Sequence, residues 1–195
     1  MKSFRLTGKR HPRLRRAGLA FGLAAALLGL YLGFLQISGN FHTVIAGELY
    51  RSGQPSPAQL ERYVRAHGIR TIVNLRGGGK ASWYRDEVAT AERLGVTHID
   101  FRMSAARELS QEQAEQIIET LRDAPKPILI HCMGGADRSG LVAALYVAAV
   151  GKLGEAAAES QISIRYGHIS LPIISAYAMD RTFEKLEPWL GFPDS

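Results

Sequence analysis

The pattern of hydrophobic and polar positions divides the chain into one long apolar stretch and a series of short apolar runs. The long stretch, residues 17–37, holds 21 residues with no charge and a single amide, Gln36. From residue 42 onward, short apolar runs alternate with segments whose apolar residues recur at helical spacing. The pattern therefore predicts one long helix followed by alternating strands and helices.

The alternating region predicts an α/β fold with a mainly parallel central sheet flanked by helices. Strands that alternate with helices, together with central strands that are apolar throughout, favour this arrangement. The predicted strands lie within residues 42–53 (two strands around a turn at Gly47), 69–76, 96–103 and 126–132. The predicted helices lie within residues 56–68, 82–95, 110–124, 138–151, 154–166 and 172–187.

The long apolar stretch is interpreted as one N-terminal transmembrane helix, a signal-anchor over residues 17–37. Roughly 20 apolar helical residues cross the hydrocarbon core of a bilayer. A cleaved secretory signal peptide is the alternative, but its apolar part usually has only about 7–15 residues and ends at a small-residue cleavage site. A buried core helix is the third interpretation, and such helices seldom run this long without a charge.

The charge is distributed unevenly along the chain. Residues 1–16 carry seven of the 24 basic residues and no acid, which leaves 17 basic against 18 acidic residues in the remainder. A basic flank before a membrane span stays in the cytoplasm, so the remainder is expected to be periplasmic or otherwise extracytoplasmic. A folded part of nearly balanced charge disfavours a nucleic-acid partner. We therefore predict a basic cytoplasmic head at 1–16 and a folded domain at 41–190.

The chain contains a single cysteine, Cys132, within the sequence PILIHCMGGADRSG. One cysteine excludes an internal disulfide and any cysteine-rich zinc site. The six histidines are scattered, with no pair at metal-ligand spacing. We therefore predict neither a metal nor a cofactor.

The position of Cys132 indicates a phosphate-directed nucleophile. It ends the most apolar predicted strand, and a short loop then leads into a helix that begins near Arg138. Ligands of open α/β sheets collect beyond the carboxyl ends of the strands, and a helix amino terminus favours both a phosphate and a thiolate. Gly134 and Gly135 permit a tight loop, and the guanidinium of Arg138 can bind two phosphate oxygens. The alternative is that Cys132 is only a small buried hydrophobic residue.

The segment HCMGGADRSG resembles the His-Cys-x5-Arg-Ser/Thr-Gly signature of the cysteine-dependent protein tyrosine and dual-specificity phosphatases. Residues 41–56 and 69–78 also resemble the opening of compact dual-specificity-like phosphatases, including the plant and fungal atypical group and its bacterial relatives, and the resemblance covers about residues 41–150. It implies that residues 41–190 form a phosphatase domain in which Cys132 becomes a phosphocysteine, Ser139 stabilises the departing thiolate and His131 orients the loop. It further implies that the phosphate is bound by Arg138 and by the amides of Met133, Gly134, Gly135, Ala136, Asp137 and Arg138.

This sequence departs from the pattern of these phosphatases at the position of the general acid. They usually carry an aspartate on the loop that follows the strand before the signature strand, and residues 101–110 contain none. Asp137, within the signature, is favoured because some relatives with an Asp-Arg pair resemble this case. Asp100 is the alternative general acid, although its place on a strand suits a structural hydrogen bond, and Glu108 is expected to be a solvated loop residue.

Three functions are compatible with the resemblance. The favoured one is hydrolysis of phosphotyrosine, with dual specificity for phosphoserine and phosphothreonine open, by an enzyme whose partners are a phosphorylated protein and the membrane. The second is the same chemistry on an inositol, lipid or sugar phosphate, although Ala136 stands where relatives that prefer inositol polyphosphates often carry lysine. The third, a non-catalytic phosphate-binding module, is disfavoured by the intact Cys132 and Arg138.

Other conspicuous residues receive structural interpretations. Arg51 is expected to hold loops together, and His168 to belong to the packed interior or the surface. The run LRGGGK at 75–80 is not a P-loop, because Ala81 stands where a serine or threonine is required. Trp83 and Tyr84 are left outside the site, since helix packing is at least as good an explanation as stacking on an aromatic substrate.

Overall fold

The computed structural model describes residues 12–193, with side chains from residue 16 onward. The chain forms two compact units, Met1–Phe34 and Leu35–Ser195. Residues 1–11 of the basic head predicted at 1–16 lie outside the described residues.

The first unit contains most of a single long helix, α1 (Pro12–Ser38). Its segment Arg16–Ser38 has 23 residues with a mean hydropathy of 2.0, which by length and composition suffices to cross a membrane. Apolar side chains such as Phe21 and Leu30 are exposed over most of their surface.

The second unit is built on a five-stranded sheet with the order β1-β2-β5-β3-β4. Strand β1 is antiparallel to β2, and the β2–β5, β5–β3 and β3–β4 pairs are parallel. The strands are β1 (His42–Ile45), β2 (Leu49–Ser52), β3 (Thr71–Asn74), β4 (Thr97–Asp100) and β5 (Ile128–His131). The predicted mainly parallel sheet is confirmed, with the strand that leads to Cys132 at its centre.

Local sequence signals set the ends of several helices. Ser56 and Ser110 each form a capping box with the glutamine three residues later, and Gly68 and Gly95 end their helices in the left-handed conformation. The helices of this unit are α2 (Pro57–His67), α3 (Ser82–Leu94), α4 (Gln111–Asp123), α5 (Asp137–Tyr146), α6 (Glu155–Glu159) and α7 (Ala178–Leu190).

Helices cover both faces of the sheet, as the apolar central strands predict. Ile128 and Ile130 of β5 pack in one hydrophobic cluster with α4, α5 and α7, whereas Leu129 packs on the other face with α2 and α3. The alternation follows from the two-residue period of a strand. Strand β5 is therefore packed on both faces, and this packing fixes the point at which the following residues begin.

The two C-terminal helices differ from the prediction. Instead of a helix over 154–166, α6 ends at Glu159 and a short 3-10 turn follows at Ile164–Tyr166. Beyond the end of α6, the carbonyl of Gln161 accepts a hydrogen bond from Arg51 at 2.7 Å. The last helix begins at Ala178 rather than near 172, and a short 3-10 turn at Ser175–Tyr177 precedes it.

Candidate active site

The ends of four strands bring the candidate site residues together. Ser52 and Asn74 each lie in register with His131, and Asn74 lies in register with Asp100. Because these strands are parallel, the loops that follow them meet at one edge of the sheet. The loop after β5, residues 132–138, is called the cysteine loop below.

The cysteine loop surrounds the sulfur of Cys132 with donors. Cys132 is only 2% exposed, and its Sγ accepts a hydrogen bond from the backbone N–H of Gly135 at 3.3 Å. The Oγ of Ser139 lies 3.5 Å from the same sulfur. Helix α5 begins at Asp137, so its unpaired amides and dipole also face this loop. An amide donor and a helix amino terminus suit the binding of an anion.

Two side chains from distant segments fix the direction of the loop amides. Asn40 donates to the carbonyl of Gly134 at 2.8 Å, and Arg51 donates to the carbonyls of Gly135 and Ala136 at 3.0 and 2.9 Å. In a trans peptide the N–H points opposite to the carbonyl. The following N–H groups are therefore directed to the other side of the loop, as the Gly135 N–H on the cysteine sulfur illustrates.

Arg51 is an internal support of this loop. It is fully buried, it also donates to the carbonyl of Gln161, and its guanidinium lies 4.0 Å from the ring centre of Tyr166. Burial lowers the pKa of Arg51 to about 10, so it remains protonated at neutral pH. The prediction that Arg51 holds loops together is confirmed.

Of the two loop glycines, Gly135 is the one that the backbone requires. Its φ is +75°, and a Cβ there would lie 2.6 Å from the backbone nitrogen of Gly53. A side chain would therefore push the cysteine loop away from the loop after β2. Gly134 has no such conformation, and a Cβ there would meet only the amide of Gln36 at 3.3 Å.

The guanidinium of Arg138 has unused donors. Its Nη1 lies 3.4 Å from the carbonyl of Leu75 and 3.5 Å from that of Met103, which are long hydrogen bonds. Its buried Nε has no partner in the part of the chain that the structure describes. A buried donor without a partner is costly, and an anion bound beside it would satisfy it.

A buried carboxylate that the sequence analysis missed fixes His131. Oε1 of Glu87 lies 3.0 Å from Nε2 of His131 and 2.8 Å from Nε2 of His98, and Gln54 donates to Oε2. Burial works to raise the pKa of Glu87, but these hydrogen bonds outweigh it and lower that pKa to about 2. Glu87 shares the buried face of α3 with Thr90 and Ala91, and an acid on such a face was a usable signal.

Two of the three candidate acids have both oxygens engaged. Asp100 accepts from Nδ2 of Asn74 at 2.8 Å and from the hydroxyl of Tyr84 at 2.5 Å. Glu108 is bound by Arg181 and Lys185, and hydrogen bonds from Lys185 and then Arg181 lower its pKa. Both carboxyl groups are therefore held by donors within the protein.

Asp137 is linked to a buried histidine instead. Its Oδ1 lies 2.8 Å from Nδ1 of His168, and Nε2 of the same ring lies 2.7 Å from Oδ2 of Asp180. Burial alone lowers the pKa of His168, but hydrogen bonds with the two carboxylates outweigh it and the pKa is raised. Oδ2 of Asp137 has no hydrogen-bond partner among residues 12–193. The 31-residue separation hid this contact from the sequence analysis.

An open cleft of about 750 Å³ adjoins the cysteine loop, and we call it the arginine cleft. It is lined by Arg76, Arg102, Met103, Ser104, Arg107, Glu108, Leu109, Gln113 and Arg138. Trp83 and Tyr84 do not line it: Trp83 packs under the guanidinium of Arg76, and Tyr84 bonds to Asp100. Arg76, Arg102 and Arg107 were not predicted as site residues.

Solved structures of phosphatases have the same fold. TpbA of P. aeruginosa superposes with a TM-score of 0.59 at 23% identity over 79% of this chain and 92% of that one. A variant of TpbA in complex with phosphotyrosine gives 0.57 at 20% identity over 81% of this chain and 93% of that one. The core catalytic domain of the PP-IP phosphatase SIW14 of S. cerevisiae gives 0.56 at 18% identity, over 78% and 93% respectively. At these sequence identities, the superpositions show that this chain shares the fold of those proteins, and no more than the fold.

One relative found by sequence is more similar to this chain than the solved structures described above. A protein of Cupriavidus necator, named as a candidate tyrosine-protein phosphatase, is 31% identical over an alignment 150 residues long that covers 62% of this chain. This chain covers 54% of that relative's length. The sequence model of the tyrosine phosphatase family matches residues 32–159, from the end of α1 through the cysteine loop to α6. A match over well over half of the chain, on the fold and with the signature loop in place, shows that this chain belongs to the tyrosine phosphatase family.

Proposed function

We propose that this chain hydrolyses phosphate monoesters through a phosphocysteine intermediate and that phosphotyrosine is its substrate. The observation that carries the proposal is the arrangement around Cys132, whose sulfur meets the Gly135 amide and the Ser139 hydroxyl while Arg138 keeps a buried donor without a partner among the described residues. Membership of the tyrosine phosphatase family and the phosphotyrosine bound to a TpbA variant support it.

In the first step the Cys132 thiolate attacks phosphorus, so the S–P bond forms as the bond from phosphorus to the ester oxygen breaks. Arg138 and the amides of residues 133–138 bind the three remaining phosphoryl oxygens, where negative charge is concentrated. Asp137 gives its proton to the departing oxygen. Among the candidate acids, it alone keeps a carboxylate oxygen free of hydrogen bonds within residues 12–193.

In the second step water attacks the phosphocysteine, the S–P bond breaks and inorganic phosphate leaves. Asp137, now ionised, accepts the proton of the water and is ready for another cycle. The hydroxyl of Ser139, 3.5 Å from the sulfur, donates to the returning thiolate. His131, held by Glu87, keeps the start of the loop in place.

The same chemistry on an inositol, lipid or sugar phosphate is the second candidate, and the arginine cleft favours it. Four arginines line the cleft beside the cysteine loop, which is more positive charge than a single aryl phosphate requires. SIW14, a protein of the same fold, is a PP-IP phosphatase.

A substrate panel tests the proposed function. The 195-residue chain in detergent is assayed for phosphate release from phosphotyrosine peptides, phosphoserine peptides and inositol, lipid and sugar phosphates. We expect the highest kcat/KM on a phosphotyrosine peptide. A higher value on one of the non-protein phosphates would establish the second candidate instead, and no release from any substrate would refute phosphatase activity.

We further propose that α1 anchors the chain in a membrane with the phosphatase domain on the extracytoplasmic side. The 23-residue apolar helix and the basic head before it support this orientation. The chain should therefore sediment with membranes and resist extraction by high salt. Protease added to intact spheroplasts should digest the domain, and a protected domain would overturn the orientation. A shorter soluble form starting after about residue 38 would identify a cleaved signal peptide instead.

A further inference from the structure

The arginine cleft holds more positive charge than one phosphate group uses. A single guanidinium fork binds two phosphate oxygens, and Arg138 with the amides of the cysteine loop completes a site for the phosphate that is hydrolysed. Arg76, Arg102 and Arg107 line the same cleft and have no part in that site. The structure therefore contains three further cations without an assigned anion.

The charge of these arginines is not neutralised by the protein. Arg102 and Arg107 are exposed, and neither makes a hydrogen bond or ion pair within residues 12–193. The one acidic residue that lines the cleft is Glu108, whose two oxygens are bound by Arg181 and Lys185. The cleft therefore presents an uncompensated positive surface to solvent.

Arg76 is fixed in a cationic environment. Its guanidinium lies 3.8 Å from the ring centre of Trp83, and its Nη1 donates to Gln54 at 2.9 Å. Burial, and after it the positive charge of Arg138, lower the pKa of Arg76. Arg76 and Arg138 are therefore close enough for their positive charges to repel each other.

The glycine run after β3 has a role in placing Arg102. Gly77 has a φ of +75°, and a Cβ there would lie only 2.7 Å from Cβ of Arg102. The absence of a side chain allows the stem of Arg102 to lie against the loop after β3, which also carries Arg76. The run LRGGGK, which fails as a P-loop, thus brings two arginines to the same cleft.

We propose that the arginine cleft is a subsite for a second phosphate group, bound by Arg102 and Arg107, on the same substrate whose first phosphate is bound at Cys132. The substrate is then a doubly phosphorylated molecule. A cleft of about 750 Å³ is large enough for such a molecule, because small-ligand sites commonly measure about 300–1,000 Å³. The inference rests on the proposed function, since that function places the first phosphate.

The test compares two matched pairs of substrates on the 195-residue chain in detergent. One pair is a phosphotyrosine peptide and the same peptide with an added phosphothreonine, and the other is an inositol monophosphate and an inositol bisphosphate. The variants are Arg102→Ala and Arg107→Ala. The control is Arg70→Ala, which removes an exposed arginine at the amino end of β3, away from the cleft. Exposed arginines without partners can be replaced with little effect on folding.

In one of the two substrate pairs, we expect the wild-type chain to have a higher kcat/KM on the doubly phosphorylated member than on the singly phosphorylated member. Arg102→Ala and Arg107→Ala should each reduce that advantage by about tenfold or more, as expected for a lost hydrogen bond between charged groups. Arg70→Ala should leave the advantage intact. The pair that shows the effect identifies the source of the second phosphate. Equal losses on single and double phosphates in both pairs would overturn the subsite.

A binding measurement separates the subsite from the proposed function. The Cys132→Ser chain is titrated by calorimetry with the inositol monophosphate and bisphosphate and with the two peptides, with and without Arg102→Ala. Tighter binding of one doubly phosphorylated ligand, lost on Arg102→Ala, would support the subsite even if the wild-type chain hydrolysed nothing. Hydrolysis without any such preference would leave the proposed function standing and refute the subsite.

Discussion

Replacing Cys132 with serine should reduce the turnover of phosphotyrosine by at least about a thousandfold, as expected when a nucleophile is removed. The amide of Gly135 donates to the sulfur and the helix amino terminus lies beside it, so we expect this residue to react as a thiolate. A serine hydroxyl stays un-ionised at neutral pH in the same surroundings, so it cannot attack phosphorus at a comparable rate. Phosphate release from a phosphotyrosine peptide measures the effect.

The same variant should still bind oxyanions. Serine is close to cysteine in size, and the carbonyls of Gly135 and Ala136 remain bonded to Arg51, so the loop amides and Arg138 keep their positions. Calorimetric titration with inorganic phosphate should give a Kd similar to that of the wild-type chain. Turnover by Cys132→Ser close to that of the wild type would exclude a phosphocysteine. Loss of both turnover and phosphate binding would indicate a collapsed loop rather than a lost nucleophile.

The parts of the site that could be predicted from the sequence are those encoded within a few adjacent residues. Cys132 and Ser139 belong to one strand–loop–helix unit, and the apolar strand before them fixes the unit at the centre of the sheet. Capping boxes at Ser56 and Ser110 are equally local, and the helices predicted within 56–68 and 110–124 do begin directly after these two residues. Local signals of this kind specify backbone geometry before any tertiary contact forms.

The supports of the site depend on contacts between distant segments and could not be predicted in the same way. Asn40 reaches Gly134 across 94 residues, and Glu87 reaches His131 across 44. Each contact depends on how helices and loops pack around the sheet, which no short pattern encodes. Arg51 is the exception, because an arginine within a strand that must be buried is already conspicuous in the sequence.

The arginine cleft shows the same limit. Arg76 follows β3, whereas Arg102 and Arg107 follow β4, and the segments are unremarkable when read separately. They converge because β3 and β4 are parallel neighbours whose carboxyl ends lie side by side. Charge counted along the chain gave a nearly neutral domain, yet the sheet topology concentrates positive charge at one edge.

Replacing Asp137 with asparagine should lower turnover of phosphotyrosine by about a hundredfold or more, the range expected for a general acid. Asparagine keeps an oxygen that can accept from His168, so the contact at 2.8 Å and the start of α5 should survive. The variant removes the proton, and it also removes the negative charge that helps to raise the pKa of His168. Turnover of an activated nitrophenyl phosphate should fall by much less, because its leaving group departs without protonation. Steady-state rates on the two substrates give the comparison.

Asp100→Asn is the matched control, since both oxygens of Asp100 already accept hydrogen bonds from Asn74 and Tyr84. That change should act through local stability and should lower turnover of both substrates by the same factor. The pH–rate profile on phosphotyrosine adds a second measurement, because the fall in rate at alkaline pH should be lost in Asp137→Asn and retained in Asp100→Asn. A leaving-group-dependent loss in Asp100→Asn, with none in Asp137→Asn, would place the general acid at the end of β4 instead of in the cysteine loop.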